Sequence, residues 1–190
     1  LLEDFERREH LRRGYDIVGV DLSAHMVAQG RAIARAEGLN VTLTVGDARA
    51  LPYEGDFDVA LMLCEGGFSL METDEMDRLI LENVARALRP GGELIMTAPH
   101  AAFLIAHEPE EGGFDLVAFR ETFEIETTDE DGRRQTWQAT QRYYTCPELR
   151  WLLTDVGFEV VAFFAVTNAG YAQNQAPTRD DFELGAMATM

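Results

Sequence analysis

The stretch RRGYDIVGVDLSAHM, Arg12–Met26, decides the fold. Tyr15–Val20 is a short β-rich run, Asp21 stands at its tip, and Ser23 can cap a helix running to about Glu37. That helix has Met26, Val27, Ile33 and Ala34 on its apolar face, and Gly38 closes it. Val41–Val45 reads as the next strand, with Gly46-Asp47-Ala48 at its C-terminal end. Phe57–Leu63 is nearly all apolar, as expected of a strand covered on both faces. Thr73 or Asp74 opens a helix whose buried stripe is Met76, Leu79, Ile80, Val84 and Leu88. Pro90-Gly91-Gly92 ends it and turns the chain into a strand over Glu93–Ala98. Strands alternating with helices across short turns require a mainly parallel sheet with right-handed crossovers.

On the N-terminal side of the quoted stretch, Leu2–Arg13 alternates charge with Leu and Phe and predicts a helix stopped at Gly14. Beyond Pro99, Phe119–Thr128 and Arg134–Tyr144 read as two strands around the turn Asp129-Glu130-Asp131-Gly132. Pro147 starts a helix through Leu149, Leu152 and Leu153 to Gly157. A strand follows over Phe158–Val166, then a polar loop over Asn168–Asp181 and a last strand over Phe182–Met190.

The chain has 190 residues, 46% of them hydrophobic, which suits one globular domain over residues 1–190. No apolar run approaches the roughly 20 residues of a membrane span, and the first residues lack the pattern of a signal peptide. The net charge is -18 and all 16 basic residues are arginine. Such a chain has no phosphate-neutralising face for nucleic acid and no attraction to anionic membranes. An arginine-only set fits GC-rich codon usage, while a strongly acidic surface fits high salt. Two cysteines, Cys64 and Cys146, are no disulfide framework and point to the cytoplasm.

Ligands of parallel α/β sheets bind beyond the carboxyl ends of the strands, where an acid can accept both hydroxyls of a ribose. Asp21 and Asp47 occupy such tips on successive strands, so the pair could grip a nucleoside at its sugar and its base. Four blocks extend the pattern: VGVDLS (18–23), GDARALPYEGDFDVALMLCEGGF (46–68), LRPGGELIMTAP (88–99) and YYTCPELRWLLTDVGFEVV (143–161). In this order and spacing they resemble the class I S-adenosylmethionine-dependent methyltransferases.

The resemblance implies a Rossmann-like seven-stranded α/β sheet, mainly parallel with an antiparallel last strand. It implies S-adenosylmethionine as cofactor, with Asp21 on the ribose hydroxyls and Leu22 against the adenine. Asp47 would take the adenine amino group and the Ala48 amide a ring nitrogen. Met26 and Gly46 would complete that wall, and Cys64 and Glu65 would run under the methionine portion. The family's glycine-rich loop has no counterpart ahead of Asp21. A segment of roughly 25–30 residues, one strand and its loop, is therefore expected to be absent near Phe5–Glu6.

Residues 100–145 carry the insertion that roofs the substrate pocket in similar enzymes, here the hairpin Phe114–Tyr144. His100, just past a strand end, is a candidate general base, with Tyr143 beside it in the catalytic set. Phe68, Arg142 and Tyr144 are candidates to contact the acceptor. His100 and His107 with Glu108, Glu110 and Glu111 lack the ligand spacing of a metal site, so no metal is expected and these residues read as an acidic loop. CEGGFS has no nucleophile-elbow pattern. The expected reaction is methyl transfer to an O or N atom of a small molecule, by a protein whose oligomeric state stays open. Two rivals remain: a degenerate binding or partner subunit, and a nicotinamide-dependent oxidoreductase.

Overall fold

A computed structural model describes residues 14–63, 67–107, 113–128, 132–167 and 170–190. The predicted Leu2–Arg13 helix, the segment expected to be absent at Phe5–Glu6, Cys64 and Glu65 lie outside these residues. So do Glu108, Glu110, Glu111 and the hairpin tip at residues 129–131. The chain divides into two compact units, Leu1–Leu51 and Pro52–Met190.

The first unit is a β-α-β arrangement of β1 (Ile17–Asp21), α1 (Ala24–Glu37) and β2 (Val41–Val45), followed by a 3-10 turn at Ala48–Ala50. The two strands pair in parallel from Ile17 opposite Val41 to Asp21 opposite Val45. Ser23 caps α1 by accepting from the Met26 N–H, and Gly38 ends the helix, as the sequence predicts. Val27, Ala34 and Leu43 form the core, with Ile17, Ile33, Leu39 and Val41 packed on it. Met26 departs from the predicted apolar face and is exposed. Arg31 crosses from helix to strand, its Nε donating to the Leu43 carbonyl at 2.9 Å.

The second unit is built on a five-stranded sheet. Its strands are β3 (Phe57–Met62), β4 (Leu88–Pro99), β8 (Glu159–Thr167), β9 (Gly170–Ala172) and β10 (Glu183–Thr189), in the order β3-β4-β10-β8-β9. β3 and β4 are parallel, and β10 lies antiparallel between β4 and β8, so β3, β4 and β8 point one way. Helices α2 (Asp74–Ala87), α3 (Ala101–Ala106) and α4 (Cys146–Asp155) complete the unit. A separate antiparallel sheet, β5 (Phe114–Asp115), β6 (Arg120–Thr128) and β7 (Arg134–Arg142), is the predicted hairpin with one short strand added.

Thr73 caps α2 through the Met76 N–H. Thr145 and Glu148 form a capping box on α4, with Pro147 in its first turn where no amide hydrogen is needed. Leu81, Leu94, Leu149, Leu153 and Leu184 are fully buried. Burying each contributes about 1.5–3 kcal/mol. At Gly185 the close approach is extreme: an added Cβ would stand 2.1 Å from the Phe164 ring.

Several expectations are corrected. The ten described strands form three sheets of two, five and three strands, not one seven-stranded Rossmann-like sheet. Among the described strands β1 pairs with β2 alone and β3 with β4 alone, so each has an edge without a ladder. Val59 and Leu61 of β3 are accordingly half exposed, not covered on both faces. The five-stranded sheet has one parallel ladder and three antiparallel ones, because β9 folds back on β8 within the predicted polar loop. Pro90-Gly91-Gly92 lies inside β4, which leaves α2 directly at Leu88 and shifts register on β3 between Phe57 and Val59. Leu79 is exposed, while Leu81, outside the predicted stripe, is fully buried. Residues 101–106, to which the sequence assigned no element, form α3.

Candidate active site

In the first unit the two acids come together at one sheet edge. Asp21 ends β1 and Asp47 stands two residues past β2, at the carboxyl ends of parallel neighbours. The Gly46 N–H donates to the Asp21 carbonyl at 3.0 Å, which carries the ladder one residue beyond the strands. A Cβ on Gly46 would stand 2.9 Å from Val20 Cγ1, so this approach needs glycine. Asp21 Oδ1 accepts from the Ser23 N–H at 2.7 Å. That bond turns the carboxylate at the strand tip and leaves Oδ2 for a ligand. Leu22 and Met26 are apolar yet exposed beside it, Leu22 at 68%. A carboxylate for a diol flanked by open apolar side chains fits the ribose and adenine of a nucleoside.

Asp47 is more constrained than the sequence suggests. Its Oδ1 accepts from the Arg49 N–H at 2.9 Å, and Arg49 Nη2 bonds Oδ2 at 2.7 Å. The side-chain bond from Arg49, then the backbone bond, hold the carboxyl down at about 2. An adenine amino group would share Asp47 with Arg49. Arg49→Ala should return the Asp47 pKa toward the ordinary value of about 3.9, measured by carboxyl-carbon NMR titration. An unmoved titration would mean that the backbone cap alone sets it.

In the second unit the substrate-side candidates meet around residues 141–144. His100 is buried, and its backbone N–H donates to the Phe182 carbonyl at 2.8 Å. Its Nδ1 is buried without a partner among the described residues. Tyr143 is also buried, and its hydroxyl donates to Glu121 Oε2 at 2.9 Å. Phe68, Arg142 and Tyr144 are likewise buried, no more than 5% exposed. Phe68 stacks on Tyr144 with centroids 5.1 Å apart, and the Arg142 guanidinium lies 4.7 Å from the Tyr144 centroid. Arg142 also bonds Asp74, Glu148 and the Tyr143 carbonyl.

Sequence reasoning missed Asp77, Ser69 and Arg120. Asp77 is fully buried on α2, accepting from the Ser69 N–H at 2.8 Å and from the Tyr144 hydroxyl at 2.9 Å. Its position was legible, for it shares the register of Ile80 and Val84, three and seven residues on, and is an acid in an apolar stripe. Among the described residues no group of side chains could hold a metal ion, and none of the helices is long and apolar enough to cross a membrane. His107 stacks on Phe103 and pairs with Asp180.

The architecture is the class I methyltransferase fold. A solved S-adenosylmethionine-dependent methyltransferase from Clostridium acetobutylicum superposes with a TM-score of 0.73 at 12% identity, covering 97% of this chain and 78% of that one. Residues 7–92 match the family model described as "Methyltransferase domain". The demethylmenaquinone methyltransferase of Shouchella clausii is 33% identical over 81 residues, 42% of this chain and 32% of that protein. Its namesake from Thermus thermophilus is 32% identical over 105 residues, 55% of this chain and 42% of that protein. The matches thus span less than half the length of these curated relatives.

Proposed function

We propose that the protein transfers a methyl group from S-adenosylmethionine to an O or N atom of a small molecule. The observation that carries this reading is the pair Asp21 and Asp47 at adjacent parallel strand tips. Asp21 holds the ribose, Leu22 and Met26 flank the adenine, and Gly46, Asp47 and Ala48 bound its polar edge. Cys64 and Glu65 are assigned to the methionine portion by the family resemblance. The cofactor supplies a methyl group already activated on a sulfonium. The chain's task is then to orient the acceptor, exclude water and accept a proton. His100 Nδ1, buried without a partner among the described residues, is the atom to accept that proton from the acceptor's O–H or N–H. Tyr143, held by Glu121, orients that side of the site.

A second reading, methylation of a quinone-ring carbon, is favoured by the two demethylmenaquinone methyltransferases. The family match ends at residue 92, ahead of the β5–β7 sheet, so it bears on the cofactor half rather than the acceptor half. The acidic chain disfavours nucleic acid and anionic membranes as partners, and the two cysteines suit the cytoplasm.

The test is calorimetry with S-adenosylhomocysteine, followed by turnover with methyl-labelled S-adenosylmethionine and a 1,4-naphthoquinol, which offers both hydroxyl oxygens and ring carbons. Binding with a Kd of about 10 μM or below and label on oxygen are expected. Label on carbon selects the second reading. Binding without transfer to any of a panel of phenols, amines and quinols makes the protein a binding subunit, and NADH fluorescence enhancement without S-adenosylhomocysteine binding makes it an oxidoreductase.

A further inference from the structure

Asp77 has no part in the reading above, yet it is a fully buried carboxylate in the second unit. Three segments converge on it. The loop following β3 offers the Ser69 N–H, the segment between β7 and α4 offers the Tyr144 hydroxyl, and Arg120 of β6 approaches to 3.9 Å. Ser69 is held from the other side as well, its carbonyl accepting from the Arg142 N–H at 2.7 Å. It sits at φ 74°, left-handed backbone that serine rarely adopts. A residue so conformed persists where its surroundings over-determine it, and such places cluster at functional sites.

We propose that Asp77 is a positioning residue: its two carboxylate oxygens latch the Ser69 loop to the Tyr144 segment and so set the shape of the acceptor side. This rests on the methyltransferase reading for its purpose, but the latch itself stands on geometry. Each oxygen serves one segment, Oδ1 the Ser69 N–H and Oδ2 the Tyr144 hydroxyl. Burial pushes the Asp77 carboxyl up to about 6, against the pull of Tyr144, Ser69 and Arg120, with Asp74 adding a like charge. Closing the latch around a carboxyl whose pKa it raises takes up a proton, so the latch tightens as pH falls through 6.

The variants are Asp77→Asn and Tyr144→Phe in the full chain, read by amide hydrogen exchange over residues 67–72 and 141–145. Both are expected to speed exchange there by about tenfold or more, with S-adenosylhomocysteine affinity within about twofold of the parent. In the parent, exchange of those segments corrected for intrinsic rate should fall as pH falls through 6, and in Asp77→Asn it should be flat. Stability should follow the same sign. A carboxyl whose folded pKa is raised stabilises fully below its unfolded value of 3.8 and loses that contribution as pH rises through 6. Acidifying the parent from pH 7 to 5 should thus slow exchange at the loop and raise Tm, and Asp77→Asn should show neither change. Equal loosening across the whole chain, or no pH dependence at the loop, overturns the latch. Loss of S-adenosylhomocysteine binding by the parent overturns the methyltransferase reading instead and leaves the exchange result standing.

Discussion

Asp21→Ala is expected to weaken S-adenosylhomocysteine binding by about 100-fold or more while Tm changes by no more than about 4 °C. The ribose diol would give the carboxylate two hydrogen bonds to a charged acceptor, each contributing about 1.5–3 kcal/mol. Even the lower figure, taken twice, exceeds the 2.8 kcal/mol that corresponds to about 100-fold in Kd. The stability effect is small because Asp21 makes one described side-chain bond, to the Ser23 N–H at a partly exposed strand tip. Water replaces that acceptor at a cost of about 1 kcal/mol or less, equivalent to about 2–4 °C in a chain of this size. Asp21→Asn keeps an acceptor for Ser23 but loses the charge, so it should fall between parent and alanine variant. Unchanged affinity in Asp21→Ala would remove the ribose role. Lost affinity with a large fall in Tm would make Asp21 a structural residue.

The elements bracketing this site were legible because their determinants are local. Ser23 caps α1 three residues from its partner, Gly38 follows its last turn, and Val41–Val45 is β-branched at every position but Leu43. Asp21 and Asp47 could be placed at strand tips because each follows its strand within two residues. The substrate side resisted the same treatment. Asp77 reaches Tyr144 across 67 residues of chain, and Arg142 reaches Asp74 across 68. Neither pairing leaves a spacing pattern, so Arg142 and Tyr144 read as pocket residues although they are locked into the protein's own network. His100 was legible as a histidine past a strand end. The lack of a described partner on its Nδ1 was not, since that depends on how α3 and residues 143–144 pack around it. The sheet count failed for a related reason. Apolar runs identify strands, but which edges pair depends on every strand present, and Val59 on β3 reads like any buried strand residue while standing half exposed.

Gly185→Ala should destabilise the second unit by about 3 kcal/mol, at the upper end of the range for overpacking a filled core. In a chain of this length that lowers Tm by about 6–12 °C. Gly185 is mid-strand in β10, with Thr97 of β4 on one side and Phe164 of β8 on the other. The Phe164 ring occupies the space a methyl group would need, with three ring atoms within 2.5 Å of the ideal Cβ position. The ring has little room to swing away, being 1% exposed and edge-on to Tyr171 of β9. Glycine normally weakens a strand interior, but here it is the partner that lets a phenyl ring lie across the sheet. Phe164→Ala alone should cost about 3–5 kcal/mol through the cavity it leaves. The double variant should cost less than the two together, because the alanine methyl of one change enters the space vacated by the other. A coupling of about 1–3 kcal/mol in a double-mutant cycle is the expected result. Strict additivity would mean that Phe164 rests elsewhere and that β8 and β10 are not packed through this contact.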